Sequence, residues 1–183
     1  MSLIPVLLSF GLISAAAEPI DCEQLLRDTA PPALALGYEA FDQTPGQGFR
    51  ALAEAGCPRQ GADLIERYIE HTGASQNSLR WHVAQLRGEA GQIRAARSAA
   101  VAALRSDEAA DAAFRWNTHV RAYVAFLDGD RAAFDAALAE LDARATAHQG
   151  NAMNAGFWRR LAPHFRLGYA GAVKAAMRKS PDA

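Results

Sequence analysis

The sequence predicts an all-α protein built from antiparallel helical hairpins. Three observations carry that prediction. Alanine, the strongest helix former and a poor strand residue, makes up nearly a quarter of the chain. Apolar residues recur at helical spacing from Phe49 onward, and no segment shows sustained strand alternation between hairpin turns. Gly56, Gly91 and Gly129 follow one another at separations of about 35 and 38 residues, the period of stacked helix pairs. Half of the 183 residues are hydrophobic and the formal net charge is −1. That composition suits one domain with its own core and argues against disorder. It also leaves no strong positive field for nucleic acid or an anionic membrane.

The first residues read as an address. Leu3 to Ile13 is an uncharged apolar run, too short to span a bilayer. Ser14, Ala15, Ala16 and Ala17 follow, so residues 1–17 have the form of a secretory signal peptide cut between Ala17 and Glu18. The alternative is a buried N-terminal helix. Export places Cys22 and Cys57 in an oxidising compartment, where they can close one disulfide. The alternative is two buried free thiols. No C-x-x-C or C-x-x-C-H motif occurs, and two cysteines are too few for a structural zinc site.

Residues 18–47 are rich in breakers (Pro31, Pro32, Gly37, Pro45, Gly46) and read as an N-terminal tether. Short helices are expected near Asp21–Asp28 and Ala33–Phe41. Phe49, Leu52 and Ala53 begin a short helix that stops at Gly56. Pro58 suits the first position of the next, whose stripe of Ala62, Ile65, Tyr68 and Ile69 ends at Gly73. Leu79, Val83, Leu86 and Ala90 mark a third helix, with Ser75 or Asn77 as cap. Ile93, Ala96, Ala100 and Leu104 mark a fourth. Asp107 is expected to cap a fifth, with Ala113, Trp116, Val120, Tyr123 and Leu127 inward. Asp130 caps a sixth carrying Phe134, Leu138 and Leu141, with Glu140 and Arg144 as an i,i+4 ion pair.

The segment 48–147 resembles the tetratricopeptide repeat (TPR) family. Asn77 to Leu104 is the best unit: Ala84, Gly91, Ala96 and Ala103 match its small-residue and turn positions. A looser unit surrounds Ala122, Gly129 and Ala137, with Phe134 where a small residue is expected. A third, around Phe49, Gly56 and Gly61, has a short first helix. No unit closes with the family's proline, and Glu108 stands there after the best unit. The resemblance covers about 100 residues and implies three hairpins stacked as a short right-handed solenoid. The chain is also similar to exported TPR-like proteins of Gram-negative bacteria, which implies a compartment but no reaction. Residues 148–183, with Phe157, Trp158, Phe165 and Tyr169, read as a C-terminal helical cap ending in a solvated basic terminus (Lys174, Arg178, Lys179).

In TPR-like stacks the first helices line the concave face. Arg80-Trp81-His82-Val83 and Asn117-Thr118-His119-Val120 then place His82 and His119 at equivalent positions about 10 Å apart. Trp81, His82, Gln85, Trp116, His119 and Tyr123 become the candidate binding residues for a protein, peptide or small ligand. The alternative is that they are core. No metal, cofactor or catalytic motif is present: there is no H-x-x-x-H, no Gly-rich phosphate loop and no G-x-S-x-G elbow. Glu23, Glu39, Glu54, Glu66 and Glu89 are scattered. The expected function is binding or scaffolding in the periplasm or outside the cell, with no nucleic acid and no membrane span after cleavage. A small envelope hydrolase with a Glu acid such as Glu54 is the alternative, and self-association through an end of the stack a third. Sequencing the exported protein is expected to find Glu18 or a close neighbour at its N-terminus; retention of Met1 on cytoplasmic protein would contradict the signal peptide.

Overall fold

The computed structural model describes residues 19–178, and the described chain is helical without strands. The expected signal segment, its expected cleavage point at Ala17 and Glu18, and Lys179 lie outside the described residues. Ten α-helices follow in order: α1 (Cys22–Leu34), α2 (Tyr38–Asp42), α3 (Arg50–Glu54), α4 (Pro58–Thr72), α5 (Asn77–Glu89), α6 (Ile93–Ala102), α7 (Trp116–Asp128), α8 (Arg131–Ala143), α9 (Gln149–Leu161) and α10 (Gly168–Met177). A 3-10 turn, Ala162–Leu167, joins the last two. From α3 to α9 each helix packs on the next in sequence. Gly56, Gly91 and Gly129 close the hairpin turns at φ of 78°, 74° and 71°, a backbone region that side chains with a Cβ disfavour.

Two cores share one wall. The first gathers Leu26, Phe41, Leu52, Leu64, Ile65 and Tyr68 from α1–α4. The second gathers Val120, Tyr123, Phe126, Phe134, Trp158 and Tyr169 from α7–α10. Helix α5 serves both, sending Leu79, Val83 and Leu86 to the first and Trp81 and Ala84 to the second. Ala84, Ala96, Ala100 and Ala103 are fully buried, as the close approach of helices requires.

The N-terminal stretch is a packed wall and not merely a tether. Asp21 Oδ1 accepts the amides of Glu23 and Gln24, both at 3.0 Å, and so starts α1. The helix runs through Pro31 and Pro32, where the sequence predicts a break. Each proline strips a hydrogen bond from the carbonyl four residues back. Those carbonyls belong to Arg27 and Asp28, both exposed, so water can take the place of the missing amides. Leu26, Ala30 and Ala33 meanwhile bury against the core, which holds the turn together. Cys22 and Cys57 form a disulfide, Cα atoms 5.5 Å apart, joining the start of α1 to the start of α4. Phe41 stacks on Tyr68, whose hydroxyl donates to Leu36 O at 3.0 Å.

Four further local expectations fail, three of them for long-range reasons. Helix α7 starts at Trp116, and Asp107 caps nothing. Residues 103–115 are held instead by side chains from helices. Asn117 accepts from Arg105 N and donates to Arg105 O, both at 2.8 Å. The fully buried Asn151 accepts from Arg115 N and donates to Ala113 O and Arg144 O. Ala113 is therefore exposed and does not face inward. Glu140 pairs with Arg115 at 2.6 Å and not with Arg144. Helix α5 starts without a side-chain cap, Asn77 lying inside its first turn. Asp130 does cap α8, accepting from Ala133 N at 2.9 Å.

The disulfide closes a loop of 35 residues. On chain-entropy grounds its removal should cost roughly 3.5–4 kcal/mol. Urea unfolding of a Cys22→Ser, Cys57→Ser protein checks this against the oxidised chain; an unchanged midpoint would show that packing alone positions α1.

Candidate functional site

The six side chains expected on one binding face divide between the two cores. Helix α5 carries Trp81, His82 and Gln85, and α7 carries Trp116, His119 and Tyr123. Successive side chains on a helix point about 100° apart, so Trp81 and His82 leave α5 in different directions. His82 turns toward the N-terminal core, where its ring lies 5.1 Å from that of Phe49. Its Nε2 is 3.3 Å from the fully buried carboxylate of Asp42, and its Nδ1 is 3.1 Å from Gln85 Oε1. Burial lowers the His82 pKa, while the Asp42 carboxylate works in the opposite direction.

Trp81, His119 and Tyr123 turn the other way and are buried. Trp81 lies 4.6 Å from the His119 ring and 5.2 Å from that of Tyr123. Helices α9 and α10 close over them. Trp158 of α9 donates from Nε1 to His119 Nδ1 at 3.0 Å, which assigns the proton of neutral His119 to Nε2. Tyr169 of α10 meets Tyr123 edge to face at 4.7 Å. Tyr123 donates to Ala84 O at 2.5 Å, closing the cluster onto α5. A Cβ on Gly88 would sit 2.2 Å from the Tyr123 hydroxyl and 2.8 Å from the Tyr169 ring, so only glycine fits beneath this pair.

The expected open face of α5 and α7 is thus filled by the chain's own last helices. Trp81, His119 and Tyr123 cannot reach a ligand without displacing α9 and α10. Trp116 is half-buried: its Nε1 donates to Ala103 O at 2.8 Å and the Arg105 guanidinium lies 5.1 Å from its ring. Gln85 and His82 are likewise half-buried. His82 and His119 do not form a pair, because they serve different cores. The partners Asp42, Trp158 and Tyr169 were not among the expected site residues. Asp42 has no local signal. Trp158 and Tyr169 had one: an aromatic-rich cap must bury its rings somewhere, and the aromatic face of α5 and α7 was the matching surface.

What remains open lies elsewhere. A groove of about 340 Å³ runs over α6, α7 and α8. Val101, Leu104, Val120 and Val124 line it, with Arg121, Asp128 and Asp130 among its charged groups. Val101 is 47% exposed. Asp128 pairs with Arg97 at 3.1 Å and Asp130 is occupied as a helix cap, while Arg121 is exposed. Glu54, the candidate acid, is exposed and accepts from Gly46 N at 3.3 Å, a loop contact. Among the described residues no three His, Cys, Asp or Glu side chains gather as a metal site. No described helix is long and apolar enough to cross a membrane.

Burial holds the His119 pKa down to about 3, far below its ordinary 6.5. Between these values the unfolded chain binds a proton that the folded chain refuses, so stability falls as pH falls. The slope from this residue is about 1.4 kcal/mol per pH unit between about pH 6 and 4. His119→Gln, whose amide can still accept the Trp158 N–H, should lose that share of the slope in urea titrations at several pH values; equal slopes would contradict a neutral buried His119. No family model, curated protein or solved structure matches the chain.

Proposed function

We propose that the protein is an exported, TPR-like binding or scaffolding protein of the cell envelope whose partner is a protein or peptide. The hairpin order from α3 to α8, the left-handed glycines at each hairpin turn and the buried alanines support the TPR-like reading. In that reading α3–α4, α5–α6 and α7–α8 are three units of a short right-handed solenoid, with α1–α2 and α9–α10 as its ends. The disulfide supports a periplasmic or secreted location, since such bonds persist in oxidising compartments.

The observation that carries the binding role is the groove over α6–α8. Aliphatic side chains line it, and Arg121 stands beside them. A short partner segment with one or two apolar side chains and an acidic neighbour fits that chemistry. Binding moves from the expected concave aromatic face to this groove because α9 and α10 cover the former.

Photo-crosslinking side chains placed at Val101 and Val124 in the exported protein test this reading. Crosslinking to a discrete envelope protein is expected at both positions, lost in an Arg121→Glu background and absent from a probe at exposed Glu70. Equal labelling at all three positions, or none at the groove, would overturn it.

A further inference from the structure

The net charge of −1 conceals a division of charge along the chain. Residues 143–178 carry six of the nineteen Lys and Arg side chains and none of the twenty acids. The 142 residues before them carry twelve cations against nineteen acids. Among the described residues only Arg159 of the six is paired, with Asp142 of α8. Arg144, Arg160, Arg166, Lys174 and Arg178 are exposed. Charge asymmetry of this kind points to an anionic partner for the basic part. Apolar exposure concentrates in the same segment. The three most exposed large apolar side chains among the described residues are Met177 at 80%, Met153 at 67% and Leu167 at 59%.

Helix α10 puts both features on one face. Tyr169 and Ala172 are buried and set its inner side, with Val173 and Ala176 packed against the same core. At about 100° per residue, Leu167, Lys174 and Arg178 fall in one stripe on the opposite side, with Met177 beside them. All four are exposed, as is Arg166 in the 3-10 turn just before. Met153 and Arg160, seven residues apart, repeat the pairing of apolar and basic groups on the outer side of α9. Glu89 of α5 and Lys174 line one cleft, so Arg166 and Arg178 are the cations on which the inference is built.

We infer that the outer face of α10, with the 3-10 turn before it, docks on an anionic phospholipid surface. Arg166 and Arg178 meet the lipid phosphates, while Leu167 and Met177 enter the boundary between headgroups and acyl chains. The aliphatic stems of the basic side chains lie along that boundary with their charged ends in the headgroups. A soluble polyanion would satisfy the cations and leave Leu167 and Met177 in water, so the exposed apolar groups favour lipid. The contact is peripheral, since no described helix is long and apolar enough to cross a membrane. The acid-rich remainder of the chain is repelled by the same surface, which orients the protein with this end toward the lipid. The α6–α8 groove takes no part, so this inference and the proposed partner binding stand or fall separately.

Co-sedimentation of the exported protein with lipid vesicles tests this. Vesicles of phosphatidylcholine mixed equally with phosphatidylglycerol should carry the protein down, and phosphatidylcholine alone should not. Added salt should weaken the binding. Arg166→Gln and Arg178→Gln should each cost about fivefold in affinity, the loss of one basic group at an anionic surface. Leu167→Ser with Met177→Ser keeps the charge and should cost about tenfold or more. All four positions are exposed, so circular dichroism should show an unchanged fold. Arg67→Gln on the exposed side of α4 and Val124→Asp in the groove should leave binding as it was. No dependence on phosphatidylglycerol, or an equal loss in Arg67→Gln, would overturn the inference. So would binding to soluble polyphosphate as tight as to vesicles and indifferent to the Leu167 and Met177 changes, or a dimer of the free chain that Arg178→Gln dissolves.

Discussion

Burial of α5 on both faces is the constraint on which the rest of the domain depends. Its Leu79, Val83 and Leu86 complete the N-terminal core, and its Trp81 and Ala84 complete the C-terminal one. A helix with apolar groups around much of its circumference must be interior. Polar groups on such a helix then need specific partners. Arg87 is nearly buried and finds Asp63 and Glu66 of α4, each at 2.6 Å, and Gln92 at 2.8 Å. His82 finds Asp42. These contacts fix α5 against α2, α4 and the turn before α6.

Closure of the C-terminal helices over α5 and α7 follows from the same constraint. Left uncovered, Trp81, His119 and Tyr123 would expose a broad apolar patch beside Ala84. Trp158 and Tyr169 cover it: the indole N–H of Trp158 satisfies His119 Nδ1, and Tyr169 packs edge to face on Tyr123. Gly88 is where this closure is tightest. Glycine inside a helix ordinarily weakens it, but here the absent Cβ admits the two tyrosines. The result is a face spent on internal packing. The groove over α6–α8 lies outside this closure and stays open.

Much of the fold was legible in residues whose meaning is local. The turn glycines, Pro58 at the start of α4 and Asp130 at the start of α8 each act within a few residues of themselves, so spacing alone locates them. The buried alanines could be placed because close helix packing admits only small side chains. The loop 103–115 was not legible. Its order comes from Asn117 and Asn151, whose partners lie 12 and as many as 38 residues away. Asp107 looked like a cap only because those distant amides cannot be seen along the chain. The site was half legible: the aromatic residues of α5 and α7 do cluster, but toward the chain's own C-terminus.

By itself the sequence determined the helical class and the turn positions, because propensity and glycine conformation leave few alternatives; it allowed a bond between its two cysteines, and the structure forms it. Tertiary structure alone decided which face of α5 and α7 stays open, since helical periodicity says that a face is apolar and not what covers it. It also decided that Glu140 serves Arg115 and that Asn151 holds the loop before α7. Each of those outcomes depends on which distant side chain the fold brings to a buried or half-buried group, and sequence spacing carries no distance in space.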